Sequence, residues 1–262
     1  MPNPPIILCI GGHDPSGGAG ILADAEAIRA AGGFAVTVIT ALTDQDTCGL
    51  RQLYPQPPAQ IAAQCQALIA DSAPSVIKIG LLGSAAAAAV VSELHDAHPT
   101  LPLILDPVLA TGCGQAVADA ALLRELRERL IPRCTLITPN VPEAVALTTH
   151  MSSPAELSAR VLALGSRWAL ITGTHAATAQ VTNRLYGADG SEQAWEWPRL
   201  PNDYHGSGCT LTSAIAVRLA LGMPLVDAVA AAQQFTWESL QAAFRSGRCQ
   251  LTPNRFQHCF SA

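Results

Sequence analysis

Short apolar runs alternating with helical periodicity limit the possible folds of this chain more than any other feature. Pro5–Ile10, Phe34–Thr40, Val76–Ile79, Leu101–Leu105, Thr135–Thr138 and Trp168–Thr172 each read as a strand, bounded by Gly, Pro or polar residues. Between them lie helical patterns at Ile21–Ala31, Pro57–Asp71, Ser84–His98 with Ser84 as cap, Val117–Leu130, Pro142–Thr148 and Ala155–Leu164. Gly208–Leu221 and Pro224–Phe244 close the series. Strands that alternate with helices pair in parallel, and the helices cover both faces of the sheet. Two stretches depart from the pattern. The polar segment Ala41–Pro58 reads as a loop or small flap, and 180–199 alternates about the turn Gly187–Ser191 as a hairpin. No linker, repeat or composition break divides the chain. Residues 1–262 are therefore expected to form one three-layer α/β/α domain with a mostly parallel central sheet and a small hairpin.

Composition removes several functional classes. Of the 262 residues 49% are hydrophobic and 13% charged, so a large core is easily filled. No stretch reaches the ~20 uninterrupted apolar residues of a membrane span, and Pro5–Ile10 is too short for a secretory signal. A formal charge of −5, with Lys78 as the sole lysine, leaves no basic patch for nucleic acid. The eight cysteines contain no Cys-x-x-Cys pair, which excludes the usual zinc and dithiol motifs. Cys9, Cys65 and Cys134 read as buried core thiols, Cys113 as a loop thiol without a role, and the expected compartment is the reducing cytoplasm.

The chemistry concentrates at the C-terminal ends of the expected strands, where open parallel sheets bind ligands. Tyr204–Ala214 crowds two glycines, a thiol and several hydroxyls where an extended segment enters an apolar helix. Free N–H groups and the helix dipole suit a phosphate there, and a thiol at Cys209 is expected to be drawn toward thiolate. Gly11–Gly20 follows the first strand without a P-loop lysine or dinucleotide spacing. Thr43–Gln45, Leu81, Asp106, Asn140 with Glu143, and Gly173 complete the row. Asp106 and Glu143 beside a phosphate would repel it unless Mg²⁺ stands between them; the competing reading makes both simple turn or cap residues. His13, His175 and His205 have no zinc spacing, and only His205, beside the anion turn, invites a role.

Together these residues resemble the hydroxymethylpyrimidine/phosphomethylpyrimidine kinases of thiamine biosynthesis, within the ribokinase superfamily. The likeness rests on Gly11-Gly-His-Asp-Pro-Ser-Gly-Gly-Ala-Gly-Ile-Leu-Ala-Asp24, Val38-Ile-Thr-Ala-Leu42 with Gln45, Lys78-Ile-Gly-Leu81, Leu105-Asp-Pro-Val108, Ile137-Thr-Pro-Asn-Val-Pro-Glu143 and His205-Gly-Ser-Gly-Cys-Thr210. It implies a ribokinase-like fold, a single kinase domain over residues 1–262 and ATP- and Mg²⁺-dependent phosphorylation of the aminopyrimidine and its monophosphate. By the same resemblance Gly12, Ala19, Asp24, Gln45, Leu81 and Val108 line the pyrimidine pocket. Asn140, Thr172, Gly173 and Thr210 serve the nucleotide, Asp106 and Glu143 the metal, and Gly206, Ser207, Gly208 and Cys209 the transferring phosphoryl group, with Cys209 either as the base or only as the group that positions the acceptor hydroxyl. It also implies a homodimer and no fused second domain. Thr172 departs from the pattern, because the family places a phosphate-binding lysine there. A pyridoxal kinase is the alternative reading, and a pyrimidine sensor without turnover is a third.

Overall fold

The computed structural model describes residues 3–112, 114–149, 154–175 and 178–257. Its first strand, β1 (Ile6–His13), is apolar on both faces: Leu8 and Ile10 enter one core cluster, Ile7 and Cys9 the other. That follows from the two-residue period of a strand covered on both sides. β2 (Phe34–Asp46) and β4 (Val76–Ile79) flank β1 in parallel. β5 (Leu103–Leu105), β6 (Leu136–Ile137) and β7 (Trp168–Ile171) extend the parallel region. β3 (Gly49–Pro55) runs antiparallel beside β2, and β8 (Gln180–Gly187) and β9 (Glu192–Pro198) add the expected hairpin beyond β7. One sheet results, in the order β3-β2-β1-β4-β5-β6-β7-β8-β9.

Helices cover both faces. α2 (Pro58–Ser72), α3 (Ala85–Ala97), α4 (Ala120–Glu125), α5 (Val141–Thr148) and α6 (Pro154–Ala163) lie over the Leu8 face. α1 (Gly20–Ala30), α7 (Ser207–Ala220) and α8 (Leu225–Gln241) lie over the Ile7 face. Ser84 caps α3 by accepting the Ala87 N–H, as its position in the sequence suggests. α4 starts later than the Val117–Leu130 pattern implies, because Asp119 caps it at Leu122, and it continues through Leu126–Leu130 as a π-helical turn.

Two expectations need correction. Ala41–Pro58 is largely strand: β2 continues to Asp46 and pairs with β3 through Leu42↔Tyr54 and Thr43↔Leu53. Its polar composition reflects a ribbon that has left the core, with Arg51 bonded to Asp44 and Asp46 on the solvent side. Cys48, in the turn of that ribbon, forms a disulfide with Cys249 across a sequence separation of 201. Spacing carries no signal for a pair so distant, and a cytoplasmic setting argues against one. Cys9, Cys65 and Cys134 are free and buried, as expected, whereas Cys113 lies outside the described residues.

Candidate active site

The chain leaves β1 for β2 on one side and returns to β4 on the other, so the loops at the carboxyl ends of β1 and β4 diverge. This is where an open parallel sheet forms a ligand crevice. Gly11 and Gly80 approach closely at its floor; a Cβ on Gly11 would stand 3.6 Å from the Gly80 Cα. A cavity of about 550 Å³ opens above them and runs along the sheet to β8, β9 and α8. Gly12, Ala19, Asp24, Gln45, Leu81 and Val108 all line it at the β1–β2 end. Gly206, Ser207, Gly208 and Cys209 form part of its wall, as do Asp106, Asn140, Glu143 and Thr172.

Gly173 and Thr210 do not line it. The Thr210 hydroxyl donates to the Gly206 carbonyl at 2.8 Å and accepts from Arg255 Nε at 3.0 Å, entirely out of solvent. Gly173 turns its N–H to Asn183 Oδ1 and packs its backbone on Thr182. The Thr210 hydroxyl and the Gly173 N–H are thus both taken up by the protein's own groups.

The anion turn is built as a helix start without a side-chain cap. Gly206 occupies the N-cap of α7 at φ +79°, a conformation suited to glycine, and no side chain accepts from the first turn. The N–H groups there face the cavity with the positive end of the α7 dipole behind them. Asp106 stands close by: a Cβ on Gly208 would lie 3.3 Å from its Oδ2.

Burial sets the charges. Lys78 shares the β4 face of Val76, which the two-residue period directs toward α1 and α7. There Nζ meets Asp24 Oδ1 of α1 at 2.7 Å, and Ser213 of α7 donates to the same oxygen at 2.9 Å. Asp24 Oδ2 has no protein partner, so a ligand donor in the cavity would satisfy it. Burial alone would discharge Lys78, but Asp24, Cys209 and Asp106 hold its proton firmly. Cys209 corrects the thiolate expectation. Burial pushes its thiol up to about 12, outweighing the nearby Lys78 charge and the N–H bond from Gly20, and the site holds a neutral thiol at pH 7.

Asp106 and Glu143 are both raised, to about 6 and about 8, first by burial; Asp24 adds to the first and Asp106 to the second. Asn140 and Glu143 close a capping box at the start of α5: Glu143 N donates to Asn140 Oδ1 and Asn140 N to Glu143 Oε2, each at 2.9 Å. The cap reading is borne out, and the two residues of the box also line the cavity.

Sequence reasoning passed over three features. Asp14, His205 and Gln45 join across the cavity rim, with His205 Nε2 2.7 Å from Asp14 Oδ2 and 3.0 Å from the Gln45 amide. Arg255, 1% exposed, bonds Thr210 Oγ1, the Gly18 carbonyl and Glu26, and so ties the glycine loop to the anion turn. At the β8–α8 end Gln233 Oε1 accepts from Asn183 Nδ2 and Trp197 Nε1, leaving its Nε2 buried without a partner in the cavity wall. Asp14 and His205 lie inside motifs already marked in the sequence. Gln233 and Arg255 lie in helical or terminal stretches that carry no local signal.

Comparison with known proteins follows this geometry. A family profile described as phosphomethylpyrimidine kinase matches residues 14–254. The hydroxymethylpyrimidine/phosphomethylpyrimidine kinase of Streptomyces coelicolor is 38% identical over 94% of this chain and 92% of its own. A phosphomethylpyrimidine kinase structure from Clostridium difficile is 30% identical, with a TM-score of 0.78 over 88% of this chain and 97% of that one. An ADP complex of Bacillus subtilis pyridoxal kinase superposes with a TM-score of 0.87 over 97% and 98% of the two chains, at 24% identity, a likeness of fold.

Proposed function

The chain belongs to the phosphomethylpyrimidine kinase family, and from that premise we propose how its residues divide the transfer of a phosphoryl group from ATP to a hydroxymethylpyrimidine. The observation that carries the reading is a single cavity with Asp24 and Gln45 at one end, an uncapped helix start in its middle and an unpartnered amide at the other.

The aminopyrimidine occupies the β1–β2 end. Asp24 Oδ2 accepts from its exocyclic amine, Gln45 meets a ring edge, and Ala19, Leu81 and Val108 cover the faces. Its hydroxymethyl group faces Cys209. The N–H groups of Ser207, Gly208 and Cys209 surround the phosphoryl oxygens where charge develops, so the site stabilises the transition state by preorganised dipoles. The neutral Cys209 thiol holds the acceptor hydroxyl in line and does not act as a thiolate base. A phosphoryl transfer with a loose transition state demands positioning more than proton abstraction.

Two buried carboxylates, Asp106 and Glu143, beside an anion site fit a divalent cation. Among the described residues no group of three His, Cys, Asp or Glu could ligate a metal. Two carboxylates suit Mg²⁺, which keeps most of its waters. Asp106 and Glu143 would hold it, and bound there it would neutralise phosphate charge. Arg199 takes the place of the lysine lost at Thr172. It lines the same cavity, its guanidinium fixed by the carbonyls of Thr174 and Thr178. The nucleotide base lies beyond, against Trp197 and Gln233.

Residues 1–262 work as one domain, and the exposed apolar pair Leu42 and Tyr54 on the edge ribbon supports a homodimer, to be tested by sedimentation. No helix among the described residues is long and apolar enough to cross a membrane. The experiment that tests the reading compares kcat/KM, with MgATP, on the hydroxymethylpyrimidine, its monophosphate and pyridoxal. The two pyrimidines are expected to lead by at least ~10-fold, as a pocket matched to one set of polar edges requires. A pyridoxal preference, or no ADP formed with any of them, overturns it.

A further inference from the structure

We propose that Asp14 and His205 are positioning residues that orient the Gln45 amide, so that the pocket selects a ring presenting an unprotonated nitrogen as acceptor. The proposal rests on the functional reading above and adds the way one ring edge is recognised.

Asp14 is crowded with donors. Its Oδ2 accepts from the Ser16 hydroxyl and the Ala19 N–H, each at 2.9 Å, and Oδ1 accepts from the Ser16 N–H at 2.9 Å. An oxygen already taking two donors does not carry a proton of its own. Burial works against the charge, yet the bonds from His205 and Ser16 outweigh it and hold the carboxyl below its ordinary range. At 2.7 Å from that oxygen, His205 Nε2 must be the donor, since two lone pairs would repel.

Once Nε2 carries hydrogen, the neighbouring Gln45 amide has a determined orientation. Its nitrogen is drawn 3.0 Å from His205 Nε2, but two N–H donors cannot face each other. The two ends of an amide are nearly isosteric, and the hydrogen-bond network decides between them. Oε1 therefore turns to the imidazole and shares its hydrogen, and the Gln45 NH₂ turns to the cavity that Gln45 lines. A donor so fixed requires an acceptor on the ligand, which a bare ring nitrogen supplies and a C–H or an amine does not.

The local backbone supports the arrangement. The β2–β3 register shifts between Asp44 and Gln45, and such a bulge re-aims the side chain that follows. The His205 ring packs over Gly18, where a Cβ would meet the ring carbons. His205 is also the residue before the Gly206 cap, so ring recognition and the anion turn share one rigid link.

Calorimetric binding to the full chain without ATP tests this. The ligands are the hydroxymethylpyrimidine and its two pyridine analogues, each with one ring nitrogen replaced by C–H. The wild-type chain should bind one analogue roughly 10-fold or more weakly than the pyrimidine, the effect of a buried donor left without an acceptor. His205→Phe keeps the ring but frees the amide to rotate, and that ratio should fall to about 2-fold or less. Asp14→Asn, which removes the charge that sets the imidazole hydrogen, should do the same and stands in if the first variant fails to fold. Loose packing alone would weaken all three ligands equally. Wild-type discrimination retained in both variants overturns the relay and leaves the functional reading intact. No binding of the pyrimidine by the wild-type chain overturns both.

Discussion

Cys209 and Lys78 show how burial decides the chemistry of a single residue. A thiol at a helix start invites activation, yet here desolvation exceeds the help from Lys78 and the Gly20 N–H, and the thiol stays protonated. Cys209→Ala should lower kcat by about 100-fold, the scale of a misplaced reacting group. Between pH 7 and 9 the wild-type kcat should show no rise attributable to thiolate, because a group titrating near 12 does not change charge there. Steady-state kinetics across that range check both. Lys78 is fully buried and paired with Asp24. Lys78→Met would leave an uncompensated carboxylate in the core and should cost about 3–5 kcal/mol in urea unfolding. Adding Asp24→Asn should recover most of it, since the stranded charge disappears with it.

At the scale of elements, the β2–β3 ribbon matters most. It carries Gln45, departs from the core past Ala41, and is anchored to the C-terminal segment by Cys48–Cys249 and by the Gln250 N–H to the Thr47 carbonyl. Cutting that link should loosen the ribbon while the parallel sheet survives. Cys48→Ser should lower stability by roughly 2–4 kcal/mol, the usual worth of a bridge that closes a long loop. It should also raise KM for the pyrimidine more than KM for ATP. Urea unfolding and the two Michaelis constants check this. The ribbon's strand character was hidden in the sequence because both its faces are largely polar, whereas β1 and β4 were legible from unbroken apolar runs. α3 announced itself through Ser84; α4 was extended too far at its start because Val117 and Ala118 carry the apolar spacing ahead of the Asp119 cap.

On the scale of the whole molecule, one cavity joins two recognition ends across the anion turn, and they should respond separately. Gln233→Glu keeps an oxygen for Asn183 Nδ2 and Trp197 Nε1 but removes both unpartnered hydrogens. KM for ATP should then rise about 10-fold, the effect of one lost buried hydrogen bond, while KM for the pyrimidine stays within 2-fold. Initial-rate measurements varying each substrate check it. Arg255, from beyond the last helix, closes the structure by tying Gly18 to Thr210. No sequence pattern marks it, because its partners lie more than 40 residues away.

The sequence by itself determined the alternation of strand and helix, the loops that end up at one edge of the sheet and the residue types available there. These follow from short-range periodicity and turn chemistry, which are written locally. Only the tertiary structure decided that Asp24 is spent partly on Lys78, that the Thr210 hydroxyl is taken up by Gly206 and Arg255, that Asp14 and Gln45 meet through His205, and that Cys209 keeps its proton. Each depends on which distant side chains share a buried space and how much water reaches them. Those quantities are set by packing between elements, so no window of the chain contains them.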